Sequence, residues 1–146
     1  MSEPAPFRHR LRVRYVECDM QGIAFNAHYY TWIDDAYTEL WRDAFGPLSA
    51  LHDRGCDFVV AESSARYRAS ARFDQVLDVA VEVESMTTTS MTTTHSFLHQ
   101  DQLLVEGRIR HVCVGAETMA KAPWPDAARE AFASYVATNA GSSPSA

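Results

Sequence analysis

Asp19 and Asn26 lie in the stretch YVECDMQGIAFNAHY, residues 15–29, and their types and spacing suggest carbonyl chemistry. A carboxylate can attack a carbonyl carbon or draw a proton from water. The unpaired N–H groups at a helix start carry roughly half a positive charge and suit the oxyanion such an attack creates. A turn aspartate also bonds its own backbone routinely. What raises Asp19 above that role is the helix start expected at Asn26 and Ala27, only a few residues on.

The other reactive side chains are less organised. His28 falls in the first helical turn near Asp19 and is a second candidate, against simple packing at a helix end. His95 and His99 have HxxxH spacing, which chelates a metal on a helix, but on a strand they stand ~13 Å apart. His9, His52 and His111 are isolated, so no metal site is expected. Cys18 adjoins Asp19 but points to the opposite side of an extended segment, and reads as an inert thiol. Asp34 and Asp35 read as a solvated helix side, one of which can reach a cavity. The chain has no GxSxG elbow, phosphate-binding glycine loop or dinucleotide fingerprint.

The elements that must hold Asp19 and Asn26 follow from periodicity. Leu11, Val13 and Tyr15 alternate with Arg10, Arg12 and Arg14, predicting a strand over Arg10–Tyr15 with a wet basic face. Glu17–Gly22 carries turn chemistry. Asn26 is a good N-cap, and Tyr29, Ile33, Ala36, Tyr37, Leu40 and Trp41 recur at helical spacing. Gly46-Pro47 stops that helix, which should cover about 19 residues and roughly 28 Å. Four strands are predicted next, over Phe58–Tyr67, Val76–Glu84, Met91–His99 and Leu103–Val114. The near-repeat MTTTS/MTTTH, residues 86–95, reads as threonine-rich strand faces beside a hairpin turn. Asp126 can cap a short helix through Val136. One dominant helix with segregated strands implies an α+β fold, the helix lying on a curved sheet.

Composition narrows the function classes. The 146 residues suit one domain over 1–146, with a core of about 7–137 and loose ends at 1–6 and 138–146. A net charge of −6 argues against nucleic acid and against an anionic membrane surface. Three cysteines without CxxC spacing suit a reducing cytoplasm. The N-terminal residues show no secretory signal, and no apolar run approaches the ~20 residues of a membrane span.

The chain resembles the hotdog-fold acyl-CoA thioesterases of the 4-hydroxybenzoyl-CoA thioesterase type. The resemblance rests on the Asp19-to-Gly22 step into the helix, on Asn26–Tyr29, Trp32–Asp34 and Thr38–Glu39, and on weaker matches through Pro123. It implies a long central helix wrapped by a curved five-stranded antiparallel sheet. It also implies a homodimer or homotetramer with sites at the dimer interface, and no cofactor. By carry-over Asp19 is the catalytic carboxylate and the Asn26 N–H polarises the thioester carbonyl, while Gly22, His28 and Asp34 contribute to substrate binding.

The chain departs from that family in three places. Many members carry histidine and then asparagine where this chain has Asn26 and His28, and two residues turn ~200° around a helix. Tyr37 stands where an arginine is common, and Thr87–Thr89 replace basic residues placed near the coenzyme A phosphates. Arg66, Arg68 and Arg72 offer another basic cluster. Alternatives are a thioesterase acting on acyl-carrier-protein thioesters, or a non-catalytic acyl-CoA-binding module. A hotdog dehydratase, pairing Asp with a His about five residues on, is disfavoured because Ala24 takes that place.

Overall fold

The computed structural model describes residues 7–136; the loose ends expected at 1–6 and 138–146 lie outside the described residues. Its dominant element is helix α1, His28–Ala44. Seven side chains at helical spacing, Tyr29, Trp32, Ile33, Ala36, Tyr37, Leu40 and Trp41, are buried along it. That broad aromatic stripe needs an apolar surface to cover it, and the sheet supplies one. The helix ends where the Phe45 and Gly46 N–H groups both donate to the Trp41 carbonyl, at 2.8 and 2.9 Å, ahead of Pro47.

Five antiparallel strands form one sheet in the order β1-β3-β4-β5-β2. They are β1 Phe7–Arg12, β2 Cys56–Tyr67, β3 Val76–Met86, β4 Ser90–His99 and β5 Gln102–Gly115. Alternation sets the inner face: Leu77, Val79, Val81 and Val83 of β3 are buried, as are Met91, Thr93, His95 and Phe97 of β4. On β5 the inner row includes Gly107, where a Cβ would stand 2.6 Å from Ile33 Cδ1. The missing side chain lets α1 lie close to the sheet.

The predicted strands were found, with shifted ends. β1 begins three residues before the expected Arg10 and stops at Arg12. Tyr15 is not an inward strand residue but part of a single 3-10 turn, Tyr15–Glu17, and is 80% exposed. The cause is Glu17, whose carboxylate accepts the Arg14 N–H at 2.7 Å and draws the chain out of the ladder. The threonine-rich segment does make a hairpin turn: Thr87 Oγ1 accepts the Ser90 N–H at 2.9 Å.

Two corrections concern helix starts. Asn26 is not the N-cap of α1; Ala27 holds that position, and no side chain caps it. Asp126 is not a cap either, because Pro125 precedes α3, Asp126–Phe132, and Asp126 is its first residue. Val136 lies beyond that helix, bridging Val83 in parallel. A short helix α2, Leu48–His52, follows Pro47 and was not predicted.

Candidate active site

Between the 3-10 turn and α1 the chain makes a tight hairpin. The Phe25 N–H donates to the Glu17 carbonyl, the Asp19 N–H to the Ile23 carbonyl, and the Gly22 N–H to the Asp19 carbonyl, each at 2.9 Å. This leaves Met20, Gln21 and Gly22 as a three-residue connection of the kind that needs a left-handed last residue. Gly22 meets that need with φ +77°, and a Cβ built there would touch nothing within 4 Å. Its requirement is therefore conformational. Gly22→Val should cost about 1–2 kcal/mol, and Gly22→Asn distinctly less, when urea midpoints are compared.

The hairpin presents Asp19 half-buried. Its Oδ1 accepts the Gln21 N–H at 2.8 Å, the local turn bond weighed in the sequence. That bond uses one oxygen, and Oδ2 has no partner among the described residues. The hairpin's outgoing arm is fixed from the side, since the Ala24 N–H donates to the Ala71 carbonyl at 2.8 Å.

At Asn26 and Ala27 the chain enters α1. The next three N–H groups are already used: His28 donates to Phe25, Tyr29 to Asn26 and Tyr30 to Ala27 carbonyls, at 3.0–3.3 Å. No described residue accepts from the Asn26 or Ala27 N–H. The donors available at this helix start are thus these two amides, and they lie just before the regular helix.

Asp19, Gln21, Asn26 and Tyr29 line a cleft of about 350 Å³. Tyr67, Arg68 and Ser70 line the same cleft. The Tyr67 hydroxyl donates to the Asn26 carbonyl at 3.3 Å, and its ring meets Tyr29 edge-on at 5.6 Å. Arg68 is held by two bonds to Glu106 Oε1, at 3.1 and 2.8 Å. Tyr67 and Ser70 were missed in the sequence, where Tyr67 read only as the end of a strand. Polar and apolar residues keep alternating from Arg66 through Phe73, so the sequence carried no signal of where β2 ends and the cleft begins.

The remaining candidates lie elsewhere. Gly22 shapes the hairpin without lining the cleft. His28 is half-buried between the rings of Phe25 and Trp32, at 6.1 and 6.4 Å, and does not line the cleft. Asp34 is exposed on α1, its carbonyl accepting the Thr38 hydroxyl at 2.9 Å. Tyr37 is fully buried and stacks on His111 at 3.8 Å, a planar contact that an arginine's charge would enter only at a desolvation cost. Among the described residues no cluster of His, Cys, Asp or Glu could hold a metal ion. No described helix is long and apolar enough to cross a membrane.

A long helix laid across a five-stranded antiparallel sheet, with an acidic hairpin at the helix start, defines the hotdog class of thioesterase folds. The chain belongs to the thioesterase-like superfamily, whose family model matches residues 13–132. It is 33% identical over 109 residues to the acyl-CoA thioester hydrolase YbgC of Escherichia coli O6:H1, covering 74% of this chain and 81% of that protein. The acyl-CoA thioesterase YbgC of Haemophilus influenzae is 24% identical over 127 residues, covering 86% and 93%. Among solved structures, the gentisyl-coenzyme A thioesterase BH1999 superposes with a TM-score of 0.80 at 25% identity, covering 87% of this chain and 100% of that one.

Proposed function

We propose that this protein hydrolyses an acyl thioester, with acyl-CoA as substrate, to a free carboxylic acid and a thiol. The observation that carries the reading is the cleft that Asp19, with one carboxylate oxygen unpaired among the described residues, and Asn26 line together. Membership of the thioesterase-like superfamily and the likeness to acyl-CoA thioesterases support the substrate class.

In this reading the thioester carbonyl oxygen lies at the Asn26 amide. Asp19 either attacks the carbonyl carbon or takes a proton from an attacking water. In the first route the carboxylate oxygen bonds the carbonyl carbon as the C–S bond breaks, and the thiolate leaves. Water then hydrolyses the resulting mixed anhydride to the free acid and the Asp19 carboxylate, the proton released going to the thiolate. In the second route a C–O bond forms to water, the C–S bond breaks, and the thiolate leaves. It then recovers the proton that Asp19 holds. A thiolate departs without strong acid assistance, so a site with one carboxylate and oriented amides suffices.

The complete site is read as a homodimer's. β2 is an edge strand of twelve residues whose outer side has no neighbour among the described residues, and Val60 and Tyr67 along it are 58% and 47% exposed. Such an edge invites a second copy. In that dimer His28 and Asp34, which do not line their own protomer's cleft, are assigned a substrate-binding part across the interface. Gly22 serves the same site by holding the turn.

The test is thiol release from short, long, branched and aromatic acyl-CoAs, with a matching acyl-carrier-protein thioester alongside. Release from at least one acyl-CoA class is expected. Tight acyl-CoA binding with no thiol released, even at high protein concentration, would instead mark a non-catalytic binding module.

A further inference from the structure

Glu17 is a charged residue in an unusual place. It is 4% exposed, it stands two residues before Asp19, and the reaction described above does not use it. Its carboxylate accepts the Arg14 N–H at 2.7 Å, the Arg14 guanidinium at 3.1 Å and the Trp32 indole N–H at 3.0 Å. Burial alone would raise this carboxyl, but the bonds from Arg14 and Trp32 outweigh it and hold it below the usual carboxylate range.

The three donors come from two residues in different parts of the fold. Arg14 follows β1, whereas Trp32 is on α1, buried and packed edge-on against Tyr29 at 5.0 Å. Glu17 also supplies the base of the hairpin, since its carbonyl accepts the Phe25 N–H. One residue therefore joins the strand that enters the hairpin, the hairpin itself and the helix that follows it. An apolar side chain would fill this space without a desolvation penalty, but a packing contact can slide. A displacement of ~1 Å at a reacting group is enough to cost about 100-fold in rate.

We propose that Glu17 is a positioning residue that holds the Asp19 hairpin at a fixed distance and angle from the start of α1 through its bond to Trp32. The proposal rests on Asp19 being the reacting carboxylate, and it predicts an effect that passes through Asp19.

The test uses Trp32→Phe, which removes the indole donor and keeps an aromatic ring, together with Glu17→Ala and Glu17→Gln. Turnover is measured on whichever acyl-CoA of the panel above is cleaved fastest. Trp32→Phe and Glu17→Ala should lower kcat by ~10- to 100-fold and leave KM within ~threefold, as expected for lost orientation. Glu17→Gln, which keeps an oxygen for the indole, should recover at least ~fivefold over Glu17→Ala. In an Asp19→Asn background, Glu17→Ala should cost less than ~twofold, because the group it positions is already gone.

Amide hydrogen exchange gives a readout that needs no activity. The Asp19 and Gly22 N–H groups, which close the hairpin, should exchange at least ~10-fold faster in Trp32→Phe, while Val81 and Val105 in the sheet keep their protection. Unchanged exchange at Asp19 and Gly22 would overturn the proposal. So would a Glu17→Ala cost equally large in the presence and absence of the Asp19 carboxylate. Wild-type turnover in Asp19→Asn alone is a separate outcome: it removes Asp19 from the reaction, and the exchange rates still decide whether Glu17 fixes the hairpin.

Discussion

Asp19→Asn lowers turnover by at least ~100-fold while the protein elutes at its wild-type size: this is the largest expected effect on activity. The substitution separates chemistry from structure unusually well. Asparagine keeps the side-chain oxygen that accepts the Gln21 N–H, so the turn retains its local bond. Its backbone bonds to Ile23 and Gly22 are untouched. What disappears is the negative charge and the ability to attack carbon or hold a proton. Turnover within a few-fold of wild type would sink the assignment, whatever the substrate proves to be. A single turnover in ¹⁸O-water then tests the nucleophilic route: label in the Asp19 carboxyl marks a mixed anhydride opened at the aspartyl carbon, and trapping that anhydride with hydroxylamine reports one opened at the acyl carbon.

The largest effect on stability should come from acid, and from residues outside the cleft. His95 is fully buried, bonded through Nε2 to Thr93 Oγ1 at 2.9 Å, and His111 is buried against Tyr37. Burial, with His111 nearby, pushes His95 down to about 3, and burial pushes His111 down to about 4. Both are neutral in the fold, while in the unfolded chain they take up protons near 6.5. A base with a depressed folded pKa contributes stability that is complete above its unfolded value and is lost as pH falls toward the folded one. Between pH 7 and pH 5 each histidine should cost about 2 kcal/mol, and the pair about 4. That is a large share of a typical domain's ~5–15 kcal/mol. Urea midpoints at the two pH values measure it. The double variant His95→Leu/His111→Phe should show a much flatter profile, and a profile as steep as wild type's would place the acid sensitivity elsewhere.

How much of this could be read from the chain depended on how local each signal is. The α1 stripe was legible because seven buried side chains repeat at the helical period within seventeen residues. The alternation of β3 was legible for the same reason at a period of two. β1 was displaced because Val13 and Tyr15 continue the alternation on paper, whereas the Glu17 carboxylate captures the Arg14 N–H and turns the chain. The start of α1 was placed too early because Asn26 is a residue type that often caps, yet here its carbonyl is engaged and its side chain caps nothing. Asp19 and Asn26 were legible as neighbours since one short hairpin joins them. Tyr67 and Ser70 were not, since they reach the cleft only when β2 pairs with β5 across the sheet. Their position is a property of the topology.

The strand order also has a consequence for how the molecule comes together. β1 pairs with β3, and β2 with β5, so each early strand must wait for a partner much further along the chain. The β3–β4 and β4–β5 hairpins are local and can close quickly, while both outer strands carry the cost of long loops. The segment with Asp19 follows β1 and rests against Ala71 just ahead of β3. It can settle only after those late pairings are made. Catalytic competence should therefore lag behind the gain of sheet structure during refolding, and the unpaired β1 and β2 edges of that interval are where aggregation would begin.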